Sequence, residues 1–268
     1  MVNERAMNIK TLILRAPGTN CHLETALAVE RAGGEPTIWP LQVLLDDPAK
    51  FLDFSFLILP GGFSYGDDIS AGKVYANTLL YQLQEWVTKF RDKGGLILGI
   101  CNGFQVLVKS GLLPWPGDPV QKVTLTDNDS ARYECRWVRL SIDSASPCVF
   151  TRGLDGFMDL PVAHGEGKFL WADEDTERAL FAGHLPVFQY MTPEGASRTP
   201  GAFPYNPNGS LGNIAGICDP SGQILGLMPH PERFQFHWHH PSWKKGTGKC
   251  GPLCGLDLFK KAIEALKN

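Results

Sequence analysis

The sequence predicts an α/β fold with a mostly parallel sheet and helices on both faces. Short apolar runs alternate with longer segments in which apolar residues recur at helical spacing. The short runs are apolar at every position, which is typical of parallel strands that are covered on both sides. In sheets of this kind, ligands bind beyond the carboxyl ends of the strands. We therefore expect the functional residues in the loops that follow the predicted strands.

The first half of the chain supplies the clearest elements. The predicted strands cover residues 11–14, 37–39, 56–59 and 96–100. The predicted helices cover residues 24–32, 74–92 and 104–108. A Gly-Gly pair follows each of the first two helices, and glycine readily takes the left-handed conformation that ends a helix. This succession of strands and helices is that of a parallel sheet.

The second half has a different pattern. Residues 120–140 and 186–191 form shorter, β-like stretches, which predict a β-rich insertion. Residues 198–210 are rich in Pro, Gly and Asn and predict a surface loop. A last core strand is predicted at residues 224–228 and an amphipathic helix at residues 256–266. The strand-and-helix pattern of the first half therefore resumes near the end of the chain.

The composition is that of an ordinary soluble globular protein. The 268 residues are 43% hydrophobic and 20% charged, which is enough apolar material for a core without disulfides. No internal repeat or low-complexity linker divides the chain, so we expect a single domain from residue 9 to residue 268. The net charge is −3, from 25 basic and 28 acidic residues. The sequence therefore lacks the basic excess of nucleic-acid-binding proteins.

The sequence also predicts where the protein acts. Its first residues are polar and lack the apolar stretch of a signal peptide. No apolar window is long enough to span a membrane. The seven cysteines are scattered at irregular spacing, which is typical of reduced thiols in the cytosol. We therefore expect a cytoplasmic protein that binds neither nucleic acid nor a membrane.

One motif places a cysteine between a predicted strand and a predicted helix. Gly99-Ile100-Cys101-Asn102-Gly103 resembles the nucleophile elbow of hydrolases, with Cys in place of Ser. The flanking glycines are expected because a tight turn leaves no room for side chains there. The amino terminus of a helix favours a thiolate, and the N–H of Asn102 can stabilise an oxyanion. From this spacing alone, a buried and inert cysteine is the alternative.

Two more predicted strands end in suggestive loops. Pro60-Gly61-Gly62 follows residues 56–59 and offers backbone N–H groups for an oxyanion, although a plain turn is the alternative. His230-Pro231-Glu232 follows the last core strand. A thiol nucleophile needs a base, usually His, and the base needs a third group that orients it. In an extended segment these two side chains point the same way, whereas the alternative is a solvent-exposed His.

Together and in this order, the three loops resemble the class I (triad) glutamine amidotransferases. Longer blocks are similar to one family of that class, the glutaminase subunits of purine biosynthesis. These blocks cover residues 15–21, 61–68, 99–105, 163–169 and 229–233. The resemblance extends from residue 11 to residue 233 and implies a flavodoxin-like fold.

The resemblance implies a reaction and a catalytic triad. Glutamine would be hydrolysed to glutamate and ammonia. Cys101 would form a glutamyl thioester, His230 would act as general base and acid, and Glu232 would orient His230.

The resemblance also implies roles for residues around the triad. Gly62 and Asn102 would donate their N–H groups to the oxyanion. Gln105, one helical turn beyond Cys101, would reach the bound glutamine. Residues 163–169 would line the glutamine pocket or the ammonia exit.

Partners follow from the same resemblance. The ammonia would pass to a separate synthetase subunit, which uses ATP and Mg²⁺ to convert formylglycinamide ribonucleotide to formylglycinamidine ribonucleotide. A small third subunit would bridge the other two. The chain has no Gly-x-x-x-x-Gly-Lys-Ser/Thr loop, so ATP is not expected to bind here. We expect no cofactor and no metal on this chain.

Some features depart from the family pattern. His22 stands where an acidic residue is expected. The segment 234–254 is longer than expected, and we predict a solvated or partner-facing loop. It contains His237, His239, His240, Cys250 and Cys254. Their spacing is not that of a standard zinc site.

Other functions remain open at this point. One is an amidotransferase for a different synthetase or a Cys hydrolase on the same fold, against which the blocks around Asp67-Asp68 and His164 count. Another is a scaffold without catalysis, which would have no need of Cys101, His230 and Glu232 together.

Overall fold

The computed structural model describes residues 8–191, 201–245 and 253–267. Its strands, in chain order, are β1 (Ile9–Arg15), β2 (Gly34–Pro40), β3 (Phe56–Leu59), β4 (Leu96–Ile100), β5 (Val123–Asp127), β6 (Glu134–Ile142), β7 (Phe157–His164), β8 (Glu166–Trp171), β9 (Pro186–Tyr190), β10 (Ile214–Cys218) and β11 (Ile224–Leu227).

Helices alternate with the strands in the first part of the chain, whereas β5 to β8 and, among the described residues, β9 to β11 follow one another without an α-helix between them. The helices are α1 (His22–Arg31), α2 (Gln42–Asp46), α3 (Lys73–Thr78), α4 (Gln84–Asp92), α5 (Asn102–Lys109), α6 (Glu174–Ala182) and α7 (Leu256–Lys267). A π-helical turn, Leu79–Leu83, joins α3 to α4, so the helix predicted at 74–92 is continuous but not uniform. In the described parts of the chain, no helix has the length and apolar character that a membrane span requires.

A nine-stranded sheet forms the centre of the fold, in the order β2-β1-β3-β4-β11-β10-β9-β6-β7. Neighbours from β2 to β11 are parallel, whereas β10, β9, β6 and β7 extend the sheet by antiparallel pairing. β5 and β8 pair in a separate two-stranded sheet. The predicted α/β class, with a mostly parallel sheet and a β-rich insertion, is confirmed.

The parallel strands lie at the centre of the core. Every residue of β3, β4 and β11 is buried, as expected for continuous apolar runs that are covered on both faces. Two groups of helices pack on this part of the sheet. α1 and α7 contact each other and the region of β1 and β2, whereas α3 and α5 contact each other near β3, β4 and β11.

The register of the sheet brings three loops together. Leu59 of β3 pairs with Gly99 of β4, and Ile100 of β4 pairs with Leu227 of β11. Because these strands are parallel, their carboxyl ends lie side by side. The loops that begin at Pro60, Cys101 and Met228 therefore leave the sheet at one edge, where we predicted the functional residues.

Some elements escaped prediction from the sequence, namely β7, β8, α6 and β10. β10 reads Ile-Ala-Gly-Ile-Cys, and its small residues weaken the strand pattern. α6 reads Glu-Asp-Thr-Glu-Arg-Ala-Leu-Phe-Ala, so few apolar residues mark its period. Neighbouring strands and helices bury the three strands, whereas only Thr176 and Leu180 of α6 are buried, and that information is absent from the local sequence.

The segment after β11 is only partly the loop that was predicted for residues 234–254. Phe234 and His240 are buried, with ring centroids 5.2 and 4.8 Å from that of Trp137 on β6. Their aromatic packing lies against the sheet, so the prediction of a solvated or partner-facing loop was wrong for these residues. Cys250 lies outside the described residues.

Candidate active site

Cys101 stands at a sharp turn between β4 and α5. Its backbone has φ 52° and ψ −106°, a conformation that is rare for a residue with a side chain. The N–H of Cys101 donates to the carbonyl of Leu227 on β11 at 2.8 Å, which holds the turn against the sheet. Backbone strain of this kind persists only where the surrounding structure imposes it, and it clusters at functional sites.

The glycines on either side of Cys101 make this turn sterically possible. A Cβ added to Gly99 would lie 2.6 Å from the carbonyl oxygen of Gly103. A Cβ added to Gly103 would overlap the carbonyl oxygen of Leu59 on β3. α5 therefore begins in direct contact with the strand ends. This close approach is the steric reason that we expected for the Gly-x-Cys-x-Gly spacing.

His230 and Glu232 form a buried pair beyond β11. The Nδ1 of His230 lies 2.6 Å from the Oε1 of Glu232, and the two side chains are 2% and 0% exposed. The N–H of His230 donates to the carbonyl of Pro161 at 2.8 Å, which ties this loop to β7. We had expected an extended segment, but Pro231–Arg233 forms a 3₁₀ turn. The turn, rather than strand alternation, brings the carboxylate to the imidazole.

Charge interactions outweigh burial at this imidazole. Burial by itself would lower the pKa of His230, because the charged ring loses its hydration. The carboxylate of Glu232 and the sulfur of Cys101 act in the opposite direction and hold the pKa of His230 well above its ordinary value. His230 is therefore able to hold a proton beside a thiolate.

Gly61 marks the point where the reactive side chains meet. A Cβ added there would lie 2.8 Å from the Cε1 of His230, 3.2 Å from the Sγ of Cys21 and 3.5 Å from the Cβ of Cys101. Only a residue without a side chain leaves room for this arrangement. The sulfurs of Cys101 and Cys21 both interact with the imidazole of His230. The strand end that was predicted as Pro-Gly-Gly thus lies directly against the histidine.

Cys101 lines a cavity of about 200 Å³. Gly62 and Gln105 belong to its walls, as does His164 at the end of β7. The cavity also contains three carboxylates, those of Asp67, Asp127 and Glu166. Its lining in the described part of the chain includes no lysine or arginine. The cavity therefore suits a small, positively charged ligand, which would bind next to the Cys101 sulfur.

The two residues predicted as N–H donors adjoin Cys101, since Gly62 lines the same cavity and Asn102 follows Cys101 in the chain. Asn102 is the first residue of α5, so its N–H is one of those that an α-helix leaves without an internal acceptor. Gly62 forms an isolated antiparallel bridge with Thr19. The hydrogen bonds of that bridge use the N–H groups of Phe63 and Asn20, so neither of them uses the N–H of Gly62. Both groups meet the chemical requirement for an oxyanion donor.

The side chains of Asn102 and Gln105 belong to a hydrogen-bond network. The Nδ2 of Asn102 donates to Gln105 at 3.0 Å and to the carboxylate of Asp67 at 3.2 Å. The Nε2 of Gln105 donates to the main-chain carbonyl of Glu166 at 2.5 Å. Gln105 thus links α5 to β8 and also borders the cavity. Its predicted contact with glutamine stays a prediction.

A buried lysine supports the acidic wall. The Nζ of Lys109 donates to the carbonyl of Ala71 at 2.6 Å and lies 3.7 Å from the carboxylate of Glu166. The N–H of Ala71 also donates to that carboxylate, at 3.2 Å. Burial, and then the negative charge of Glu166, raise the pKa of Asp67. Removing the negative charge of Glu166, or adding a positive charge nearby, would therefore stabilise the Asp67 carboxylate.

His164 forms another part of the wall in a neutral state. Its Nδ1 lies 3.1 Å from the Oδ1 of Asn128. Burial, with a smaller effect from His230, lowers the pKa of His164 to about 4. The predicted block at residues 163–169 is the turn between β7 and β8 and lies beside the cavity.

The structure brings all the predicted site residues to one edge of the sheet. They are Gly62, Cys101, Asn102, Gln105, His230 and Glu232. The sequence did not single out Cys21, Lys109 or Arg233, although two of them belong to the blocks that carry the resemblance. The only signal in the sequence was indirect. The blocks that contain Pro-Gly and His-Pro-Glu-Arg indicated that Cys21 and Arg233 lie in a region whose structure is tightly fixed.

Comparisons with known proteins give the family. The family model of the CobB/CobQ-like glutamine amidotransferase domain matches residues 8–264. The subunit PurQ of phosphoribosylformylglycinamidine synthase from Dehalococcoides mccartyi is 47% identical over 257 residues, which cover 96% of this chain and 97% of that protein. The chain belongs to this amidotransferase family, among the PurQ subunits.

Further relatives agree with this placement. PurQ from Methanococcus maripaludis is 41% identical over 266 residues, covering 95% of this chain and 96% of that protein. Among solved structures, PurLQS from Thermotoga maritima contains a similar chain with a TM-score of 0.72 and 30% identity. That match covers 97% of this chain and 100% of the other. The similarity of the PurQ subunits therefore extends over both the sheet and the site.

Proposed function

We propose that Cys101, His230 and Glu232 catalyse the hydrolysis of glutamine to glutamate and ammonia. As a PurQ subunit, the chain supplies this ammonia to the synthetase subunit of phosphoribosylformylglycinamidine synthase. That subunit converts formylglycinamide ribonucleotide to formylglycinamidine ribonucleotide in purine biosynthesis.

The observation that carries the proposal is the buried His230–Glu232 pair beside a cysteine on a strained turn. The 2.6 Å contact leaves the imidazole one free nitrogen, Nε2, for the chemistry. The same imidazole interacts with the sulfur of Cys101, which opens into the cavity. A nucleophile, a base and an orienting carboxylate are thus assembled in the order that acyl transfer requires.

The first half of the reaction forms the thioester. His230 takes the proton from the Sγ of Cys101, and the thiolate attacks the side-chain amide carbon of glutamine. The negative charge that develops on the amide oxygen is stabilised by the N–H groups of Gly62 and Asn102. His230 then gives its proton to the amide nitrogen, the C–N bond breaks and ammonia leaves.

The second half releases glutamate. His230 takes a proton from a water molecule, which attacks the thioester carbon. The same two N–H groups stabilise the second tetrahedral intermediate. The C–S bond then breaks, and the proton returns from His230 to the sulfur of Cys101. Throughout, Glu232 holds the Nδ1–H of the imidazole and offsets its positive charge.

The charge of the cavity fits the free amino acid. Glutamine carries an α-ammonium group, and Asp67, Asp127 and Glu166 are the carboxylates that line the cavity. Burial, and then repulsion by Glu166, raise the pKa of Asp67, and the ammonium of the substrate would relieve this repulsion. We propose that this charge match, together with Gln105, orients glutamine above Cys101.

The remaining parts of the assembly are proposals of the same kind. ATP and Mg²⁺ would bind the synthetase subunit and not this chain, which would need no cofactor of its own. A small bridging subunit would complete the complex. The site of action would be the cytoplasm, since the six described cysteines are free thiols and two of them lie at the reaction centre.

The test is ammonia release from glutamine by the purified chain, alone and with its synthetase subunits, formylglycinamide ribonucleotide and ATP. We expect strong stimulation on mixing, because amidotransferase and synthetase work as one enzyme. Ammonia release that ignores these partners would instead indicate a different synthetase or an independent hydrolase.

A variant distinguishes glutamine-dependent synthesis from synthesis with added ammonia in the same assay. Cys101→Ala should abolish glutamine-dependent synthesis while the complex still uses added ammonia. Cys135→Ser, which alters an exposed thiol outside the site, should leave both activities unchanged. Loss of both activities in Cys101→Ala would show that Cys101 has a structural role and would overturn the proposed mechanism.

A further inference from the structure

Two aromatic side chains stand at the entrance of the cavity, and the proposed mechanism uses neither of them. Phe63 follows the end of β3, and Tyr133 immediately precedes β6. Both line the cavity, yet they are 45% and 53% exposed, whereas Cys101 is only 6% exposed. A residue that lines a cavity and is also half-exposed lies where the cavity meets solvent. The two rings therefore border the entrance, and the sulfur lies deeper.

The two rings contact each other. Their centroids are 6.4 Å apart and their planes are inclined by 31°. This separation is within the range of about 4.5 to 7 Å in which aromatic rings attract. Phe63 belongs to the loop after β3, and Tyr133 belongs to the turn between β5 and β6. The ring contact therefore joins two separate parts of the cavity wall.

The ring of Tyr133 also lies near the reaction centre. Burial raises the pKa of Tyr133, and the negative charge of the Cys101 sulfur raises it further. The phenol therefore stays neutral near neutral pH. Since the charge of the sulfur acts on this phenol, the ring lies on the same side of the cavity as Cys101. A molecule that approaches the sulfur from solvent passes beside it.

Hydrogen bonds hold the main chain on both sides of the entrance. The N–H of Phe63 donates to the carbonyl of Gly18 at 3.0 Å. The Nδ2 of Asn128 donates to the carbonyl of Arg132 at 2.9 Å, which fixes the turn before Tyr133. Exposed side chains change rotamer within picoseconds to nanoseconds. The entrance can therefore open by rotation of the rings, without movement of the backbone.

We propose that Phe63 and Tyr133 form an aromatic gate that selects by size the molecules that reach Cys101. A ring pair of this kind favours the closed form by about two- to tenfold. The closed rings hold back bulky molecules, whereas rotation of one ring admits a molecule as small as an amino acid. Access to the sulfur does not depend on the reaction, so only the identity of the substrate, free glutamine, rests on the proposed function.

The first experiment measures access to Cys101 without reference to activity. The full chain in a Cys135→Ser background, which removes an exposed thiol, reacts with N-methylmaleimide or with N-cyclohexylmaleimide. Both reagents are neutral and share one reactive group, so they differ in size. The rate at Cys101 is the part of the reaction that Cys101→Ala lacks. Phe63→Ala and Tyr133→Ala should each raise the ratio of the bulky to the small rate by about two- to tenfold.

Two controls accompany these variants. Tyr133→Phe keeps the ring and removes only the hydroxyl, so its ratio should equal that of the parent chain. Tyr81→Ala removes a tyrosine that is 78% exposed and does not line the cavity, and it should also leave the ratio unchanged. Because all these side chains are at least half-exposed or nearly so, thermal melting should show that each variant folds.

The second experiment extends the test to substrates. In the assembled complex, kcat/KM is measured for glutamine and for a γ-glutamyl anilide, whose leaving group is a bulky aromatic amine. The ratio of the anilide value to the glutamine value should rise by about two- to tenfold in Phe63→Ala and Tyr133→Ala. A merely structural defect would lower both values together and leave their ratio unchanged.

Two labelling results would overturn the inference. One is a ratio that changes by less than about twofold in both alanine variants. The other is a ratio for Tyr133→Phe as high as that for Tyr133→Ala, which would assign the effect to the hydroxyl. A changed labelling ratio with an unchanged substrate ratio would contradict a role in substrate selection. A chain that shows the gate in labelling but whose complex releases no ammonia would instead contradict the proposed function and leave the gate standing.

Discussion

Two cysteines precede helices at the same edge of the sheet, and they differ in almost every other respect. Cys101 leads into α5 and Cys21 leads into α1, so both sulfurs lie near the positive end of a helix dipole. Both are buried, and both interact with the imidazole of His230. Helix position and histidine contact therefore do not by themselves distinguish a nucleophile from its neighbour.

The backbone and the access to the cavity distinguish them. Cys101 has φ 52° on a turn that glycines make possible, and its side chain opens into the cavity. Cys21 has φ −97°, an ordinary value, and its Sγ lies 3.1 Å from both Asn20 and Arg233. Burial is the main reason that the pKa of Cys21 is raised. The comparison shows that the strained turn presents one sulfur to the cavity, whereas protein groups surround the other.

The largest expected effect tests which sulfur reacts. Cys101→Ala and His230→Ala should each lower ammonia release by at least about 10⁴-fold, and the double variant should cost little more, because the residues act as one unit. Cys21→Ala should cost less than about tenfold, since Cys21 has no access to substrate. The measurement is kcat for glutamine hydrolysis in the assembled complex. Additive losses in the double variant, or a Cys21 loss as large as that of Cys101, would break the distinction.

A methyl group at the shared point should disturb both cysteines. Gly61→Ala places a Cβ 2.8 Å from the Cε1 of His230, so the ring must move. Moving the ring far enough to relieve this contact should cost about 10²-fold in rate. The matched control is Gly183→Ala at the end of α6, outside the cavity, because a Cβ there would lie no closer than 3.2 Å to any atom. Steady-state kinetics of the two variants should separate sharply, and equal rates would show that His230 tolerates the intrusion.

Glutamine binding in the cavity beside Cys101 should depend on Asp67 and not on the adjacent Asp68. Asp67→Asn should raise KM for glutamine by about tenfold with a smaller change in kcat, since a charged hydrogen bond contributes about 1.5 to 3 kcal/mol. Asp68→Asn is the control, because Asp68 is exposed and does not line the cavity. Equal KM values for the two variants would mean that the ammonium group binds elsewhere.

A separate effect concerns stability on the cavity side. His164 has a pKa of about 4 when folded and an ordinary value of 6.5, so the unfolded chain binds the extra proton as pH falls. Its contribution to stability is therefore intact above pH 6.5 and is lost as pH falls from 6.5 toward 4. The full difference is about 3 kcal/mol, at about 1.4 kcal/mol per pKa unit.

Urea unfolding of the parent chain and of His164→Gln, repeated across this pH range, isolates the effect. As pH falls, the free energy of unfolding of the parent chain should decrease relative to that of His164→Gln. A difference that stays constant would mean that His164 takes up its proton at the same pH in the folded and the unfolded chain, contrary to its buried position.

Much of the catalytic edge was readable from the sequence because its signals are local. The run at residues 96–100, the flanking glycines of Cys101 and the short spacing from His230 to Glu232 each depend on neighbours in the chain. The pairing of His230 with Glu232 was expected for the wrong geometric reason, since a 3₁₀ turn and not an extended segment produces it. Because His230 and Glu232 are only two residues apart, their side chains stay close in either geometry. The contact was therefore predicted correctly although the backbone conformation was not.

The sequence by itself determined the strands of the parallel core and the elbow, and it indicated the three candidate reacting groups, because apolar runs, glycine sterics and side-chain chemistry act over a few residues. Only the tertiary structure decided which loops meet. β11 follows β4 by more than a hundred residues along the chain and yet lies next to it in the sheet. The positions of Cys21 beside His230, and of Lys109 beside Glu166, depend on strand order and helix packing. Such long-range contacts arise from burial of the whole core, which no local pattern encodes.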